Sequence, residues 1–323
     1  MPPGPNHFVG IDVGKRELAV AVRPAGPVFT VTNTAQGHAH LLRRIGPDPA
    51  CIVLEATGRY HRPLHTTLIT AGLPVTVINP SRLHGFRLSE GVQAKTDGLD
   101  AEILARFAEQ KRPAPTPLPS PARVELGDWV RTRDFLVTQR EAFTNRRAEM
   151  PPALWPGHDR VIALLAEQIA ESDQQIAGII ASDPELARQA SLVQSLKGVG
   201  AVTTAILLAL LPELGQVSGK AIASLAGVAP RDDQSGTRSG KKRLRGGRAR
   251  LRQALYMMAL STTRWEPVIK AHYEHLQRRG KPKKVALMAC ARRVLGILNA
   301  MIREGLTWHA TKVGQGQFLP TPP

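Results

Sequence analysis

Four carboxylates in the first third of the chain have the types and spacing that phosphoryl chemistry requires. Asp12 closes the apolar run in GIDVGK just before a glycine turn, and Glu55 closes a second apolar run, CIVLEATG. A strand delivers its last residue to the rim of a sheet. An acid at the end of a buried strand is costly to desolvate unless a cation or hydrogen-bond donor meets it. Asp97 and Asp100, in KTDGLDAEILARF, lie three residues apart at the start of a helix, which places both on one face. Capping of that helix accounts for one of the two without any function. Oxygen ligands of this kind suit Mg²⁺ or Mn²⁺, and paired divalent ions about 4 Å apart are a common means of attacking phosphodiesters.

A second cluster lies far downstream. Ser235 stands beside a glycine in DDQSGTRSGKKRLRGGRARLRQALY, and Ser239 repeats the Ser-Gly pair four residues later. A serine in such a loop is most often a turn residue, and the loop contains no histidine to activate a hydroxyl. The loop therefore does not point to a Ser/His/Asp triad. Arg238, Lys241, Lys242, Arg243, Arg245, Arg248, Arg250 and Arg252 follow with no acid among them, and glycines at 240, 246 and 247 allow the backbone close to phosphates. Arg248 and Arg252 are placed on one face of the following helix. A further group, Arg278, Arg279, Lys281, Lys283 and Lys284, reads either as a backbone-binding loop or as a solvated one. GVG at 198–200 reads either as a helix-hairpin-helix element that grips phosphate or as a plain turn.

The elements that must position these residues follow from patterning. The net charge is +17, and its distribution is uneven. Residues 1–115 carry 13 basic and 9 acidic side chains, residues 116–190 carry 8 and 11, and residues 191–323 carry 22 and 6. The excess in the last third points to a polyanionic partner. Aromatic residues are 4% of the chain, which does not indicate an extended base-stacking platform. The two cysteines, Cys51 and Cys290, have no zinc or disulfide spacing and are expected to be reduced core residues. No run approaches the roughly 18 apolar residues of a membrane helix, so a cytoplasmic protein is expected.

HFVGIDV and ELAVAVRP read as paired strands, ACIVLEA and LPVTVIN as buried strands, and HRPLHTTLITAG and LDAEILARFAEQ as helices. Together they predict an α/β domain with a mixed sheet over 1–113. KRPAPTPLPSPA predicts a stiff linker. Residues 114–190 predict a helical hairpin turned at MPPALWPGH, with Ile162, Ile169 and Ile176 on a heptad stripe compatible with a short coiled coil. Residues 191–310 predict a mostly helical domain with one Gly- and Arg-rich interruption, and residues 311–323 a frayed tail.

GIDVGK, LEATGRYHRPL, VINPSR and AKTDGLDAEILARF, in this order, resemble the RuvC-like (RNase H-like) DEDD domain of the IS110-family transposases. LKGVGAVTTAILLA, LAGVAPRDDQSGTRSG and GGRARLRQALYMMAL resemble that family's C-terminal transposase domain. The resemblance spans nearly the whole chain. It implies that Asp12, Glu55, Asp97 and Asp100 hold Mg²⁺ or Mn²⁺, and that Ser235 attacks DNA to form a phosphoserine link, with Ser239 the rival position. It further implies donor and target DNA and a structured bridge RNA as partners, and a homo-oligomer, a dimer or a tetramer when DNA is synapsed. A RuvC-like nuclease using water as nucleophile is the competing reading, and a non-catalytic DNA- or RNA-binding descendant a third.

Overall fold

The computed structural model describes residues 6–24, 26–56, 58–92, 96–231, 234–235, 238–239, 243–244 and 246–310. The chain divides into two compact units between Leu118 and Pro119.

The first unit is built on five strands: β1 (His7–Val13), β2 (Glu17–Arg23), β3 (Phe29–Thr32), β4 (Pro49–Glu55) and β5 (Val75–Ile78). Their order is β3-β2-β1-β4-β5, with β1, β2 and β3 antiparallel and β1, β4 and β5 parallel. This mixed sheet fits an RNase H-like DEDD domain. Four helices cover it: α1 (Ala35–Ile45), α2 (His61–Thr70), α3 (Pro80–Ser89) and α4 (Asp97–Lys111). Successive strand residues face opposite sides. Val9, Ile11 and Val13 join Ile52 and Leu54 in one core with Leu41, Ile45, Leu64 and Leu68 of α1 and α2. Phe8, Cys51 and Val53 join a second core with Leu83 and Phe86 of α3 and Leu104 and Phe107 of α4. Each such leucine removed from water contributes about 2 kcal/mol.

Part of the proline-rich stretch expected as a stiff linker is tied to the sheet of the first unit. The Thr76 hydroxyl donates to the carbonyls of Ala114 (2.8 Å) and Pro113 (3.2 Å), and the Thr116 amide donates to the Val75 carbonyl at 2.8 Å. Residues 113–116 thus lie along β5 as part of the first unit. Proline lacks an amide but retains its carbonyl, so the segment can dock on an edge that it cannot extend as a regular strand.

The second unit is helical: α5 (Pro121–Ala148), α6 (Trp155–Ser182), α7 (Pro184–Gln194), α8 (Ala201–Leu210), α9 (Gly219–Leu225), α10 (Ala249–Trp265), α11 (Pro267–Arg278) and α12 (Lys283–Glu304). Helices α5 and α6, 28 residues each, pack against each other and are each about 42 Å long at 1.5 Å per residue. Ile169, Ile176 and Ile179 are buried, while Ile162 is half-buried. The division expected at 190/191 falls inside α7, because Asp183 caps that helix through the Leu186 amide and Ala190 and Val193 are buried on it together.

α12 is long and apolar enough by length and composition to cross a membrane, and 61% of its apolar window is buried inside the unit. Its Asn299 side chain accepts from the Gly215 amide at 2.8 Å and donates to the Val217 carbonyl at 2.9 Å, fixing the turn before α9.

Candidate active site and nucleic-acid surface

The period-two alternation decides where the first two acids point. Phe8, Gly10 and Asp12 share one face of β1, and Cys51, Val53 and Glu55 share the same side of β4. Phe8, Cys51 and Val53 belong to the core under α3 and α4. Asp12 and Glu55 continue those rows. The parallel register pairs Ile11 with Leu54, so the two half-buried carboxylates follow it side by side at the C-terminal ends of adjacent strands.

α4 brings the other pair. It packs on β1 at Gly10, where an added Cβ would come within 2.1 Å of the Ala105 nitrogen and 2.2 Å of the Ala101 oxygen. Ala19, Ala21, Ala101 and Ala105 complete this close seam. Near the far end of α4, Glu109 accepts from Arg23 at 2.6 Å, and Arg23 pairs with Phe8 at the beginning of β1. α4 therefore runs antiparallel to β1. Its N-terminus, with Asp97 and Asp100, lies at the same end of the sheet as Asp12 and Glu55.

Neither acid caps the helix. Thr96 does so, accepting from the Leu99 amide at 3.3 Å, which leaves both aspartates for other work. Asp97 is exposed, whereas Asp100 is buried and ion-paired with Arg87 of α3. The sequence did not single out Arg87. Its place is set by Phe86, which meets Phe107 of α4 edge-to-face at 5.2 Å. No group of three ligating side chains close enough to hold a metal occurs among the described residues. The donor type, carboxylate oxygens on residues that share one end of the sheet, nevertheless suits a hard divalent cation in chemistry.

In the second unit, Gln234–Ser235 and Arg238–Ser239 form a short antiparallel pair, with Ser235 opposite Arg238. Ser235 thus lies in a paired strand. The base of this excursion is closed by pairing of Pro230–Arg231 with Arg243–Leu244. It is closed again where Gly247 packs on Gly227: a Cβ on Gly247, whose φ is +68°, would sit 2.2 Å from the Gly227 nitrogen. The Arg248 amide adds a bond to the Leu225 carbonyl at 2.9 Å.

The basic residues divide into distinct groups. Arg248 makes a two-pronged pair with Glu213 at 2.6 and 2.7 Å, and Arg250 makes another with Asp134 of α5 at 2.5 Å. Arg252 donates to the Gly246 carbonyl at 2.8 Å. Arg248 is the N-cap residue of α10, and its carbonyl accepts from the Arg252 amide one turn on at 3.1 Å, while the Arg252 guanidinium turns back toward the loop base. These three guanidiniums brace the base of the serine excursion. Burial pushes the Glu213 carboxyl up, but the Arg248 pair prevails and holds it below the ordinary range. Lys283 and Lys284 open α12 and are exposed, rather than lying in a loop as expected. Lys241, Lys242, Arg245 and residues 311–323 lie outside the described residues, as do the side chains of Ser235, Arg238, Ser239 and Arg243.

At residues 198–200 the chain turns directly into α8, whose N-cap Gly200 makes no side-chain capping bond. Cys51 and Cys290 are buried free thiols, and burial pushes each up to about 11.

Comparison with known proteins agrees with both halves. Residues 9–150 match a transposase family of the IS110 DEDD type, and residues 190–274 match the family described as "Transposase IS116/IS110/IS902 family". An insertion element IS116 protein of Streptomyces clavuligerus is 31% identical, over 98% of this chain and 97% of its own length. The pilin gene-inverting protein of Moraxella lacunata is 29% identical over 92% of this chain and 96% of its own. The DEDD match implies dependence on a divalent metal and DNA as substrate. Carboxylates at one rim of an RNase H-like sheet, joined in one chain to the family's second domain, place this protein among the IS110-family transposases, enzymes that recombine DNA.

Proposed function

We propose that this transposase cuts and rejoins donor and target DNA through a covalent phosphoserine at Ser235, guided by a noncoding bridge RNA. The observation that supports it most is the convergence of Asp12, Glu55, Asp97 and Asp100 at one end of the sheet, carried there by β1, β4 and α4. Those four residues would hold Mg²⁺ or Mn²⁺, which when bound supplies positive charge to a phosphate under attack.

The chain's own residues carry the rest. The Ser235 oxygen attacks phosphorus, and its hydroxyl proton passes by way of solvent to the deoxyribose oxygen that leaves. A Ser–O–P bond forms while one P–O bond of the DNA backbone breaks. Because one ester replaces another, the energy of the broken bond is retained and rejoining needs no external source. The Arg248–Glu213 and Arg250–Asp134 pairs hold the base of the excursion. Arg238, Lys241, Lys242, Arg243, Arg245, Lys283 and Lys284 meet nucleic-acid backbone. The protein works as a homo-oligomer in the cytoplasm, with the α5/α6 hairpin as the contact between copies.

The test incubates the protein with bridge RNA, Mg²⁺ and labelled DNA, followed by a denaturing gel. Protein-linked DNA that disappears in Ser235→Ala but persists in Ser239→Ala supports the reading. Free nicked DNA from both variants, without any adduct, refutes it in favour of a nuclease that uses water. In Asp12→Asn and Glu55→Gln both cleavage and adduct are expected to fall by at least about 100-fold.

A further inference from the structure

Trp265 is 67% exposed, unusual for the largest apolar side chain and unexplained by the site above. It ends α10 and, with Lys197, Gly198, Val199, Gly200 and Ser261, lines a shallow, open groove of about 580 Å³. The 197–200 loop is pressed against α10. Gly198 has φ +94°, and a Cβ there would lie 2.8 Å from the Thr262 nitrogen and 2.9 Å from its Cα. A residue with a side chain would push the loop off α10, so the glycine keeps Lys197 and Trp265 on one shared surface.

The groove is positively charged. Arg264 lies three residues beyond Ser261 on α10, so the two share a helix face, and both Lys197 and Arg264 are exposed. The adjoining acid, Glu266, is buried at 5% exposure and accepts from the Trp308 indole at 3.0 Å. Its charge is turned inward.

We propose that this groove binds an unpaired segment of single-stranded DNA, with one base stacked on the Trp265 indole and flanking phosphates met by Lys197 and Arg264. An exposed indole offers a flat apolar face to any base that is out of its stack, and neighbouring cations track the backbone without reading sequence. A duplex keeps its base faces covered, so the indole distinguishes opened from closed DNA. The low aromatic content is compatible with this, since a single stacking residue needs no platform. DNA is the occupant because it is the substrate implied by the family, and strand exchange necessarily opens it.

The experiment is equilibrium binding of the full chain, without metal or bridge RNA, to a labelled oligothymidylate of about ten nucleotides, read by anisotropy. It requires neither Ser235 nor the carboxylates, so its failure is separate from failure of the phosphoserine reading. Trp265→Ala is expected to weaken binding by about 5- to 100-fold and Trp265→Phe by no more than about threefold. Lys197→Ala should lower the slope of log K against log salt by about 0.7. Binding to a duplex should change less than about twofold in Trp265→Ala, since its bases present no face. Thermal unfolding checks that each variant is folded. Unchanged oligothymidylate binding in a folded Trp265→Ala overturns the proposal. So does an equal loss for duplex, or a loss confined to oligouridylate.

Discussion

Gly10→Ala is the sharpest test of how the carboxylate rim is assembled. The glycine faces α4, and its added Cβ would lie 2.1 Å from the Ala105 nitrogen. An ordinary contact is about 3.4 Å, so α4 must retreat by about 1.3 Å. The obstacle is helix backbone, which cannot swing aside as a flexible side chain would. The expected cost is about 2–3 kcal/mol of overpacking, or a fall in Tm of about 8 °C or more for a unit of this size. The functional effect should be larger. The retreat carries Asp97 and Asp100 away from Asp12 and Glu55, and a misplacement of about 1 Å costs on the order of 100-fold in rate. Gly85→Ala is the control: it lies within α3 with nothing inside 4 Å, so it should stabilise by about 1 kcal/mol and leave activity intact. The assay pairs thermal unfolding with DNA cleavage under saturating Mg²⁺. Gly10→Ala with wild-type cleavage and a Tm within about 2 °C of wild type would refute the claim that α4 seats directly on β1 and sets the rim.

Two further perturbations address the second unit. Trp308 is 2% exposed, its indole donates to Glu266 at 3.0 Å and its amide to the Ser195 hydroxyl at 2.8 Å. Trp308→Ala should cost about 3–5 kcal/mol and lower Tm by about 6–20 °C; a drop under about 3 °C would contradict its role as a core anchor. His272 is pushed down to about 4, by burial first and then by the Arg293, His275 and Lys281 charges, and its Nδ1 accepts from Arg293 at 2.9 Å. A histidine lowered in the folded state contributes stability that is full above its unfolded value of 6.5 and is lost as pH falls from 6.5 toward 4. Full burial would make this about 3 kcal/mol, and half-exposure reduces it to about 1–2 kcal/mol. Urea unfolding at neutral pH and near pH 4.5 should show this extra loss in the wild type and not in His272→Gln; equal losses would exclude His272 as the source.

The sequence by itself determined the four strands β1, β2, β4 and β5 and the helices α2 and α4, because their apolar periodicity is continuous and bounded by glycine or proline. It also marked Asp12 and Glu55, since an acid that ends an apolar run is a local signal. β3, α1 and α3 escaped that reading: β3 is four residues long, and six of the ten residues of α3 are polar or small. What only the tertiary structure decided is which charges meet. Arg87 and Asp100 are thirteen residues apart, Glu213 and Arg248 thirty-five, Asp134 and Arg250 one hundred and sixteen. A run of arginines is the same string whether it faces a phosphate or a carboxylate from another helix. Helix packing resolves that choice, because a guanidinium on a partly covered surface is stabilised by the nearest anion the fold brings to it. The antiparallel seating of α4 on β1, with glycine and alanine at the contact, is likewise a consequence of close packing that local pattern does not encode.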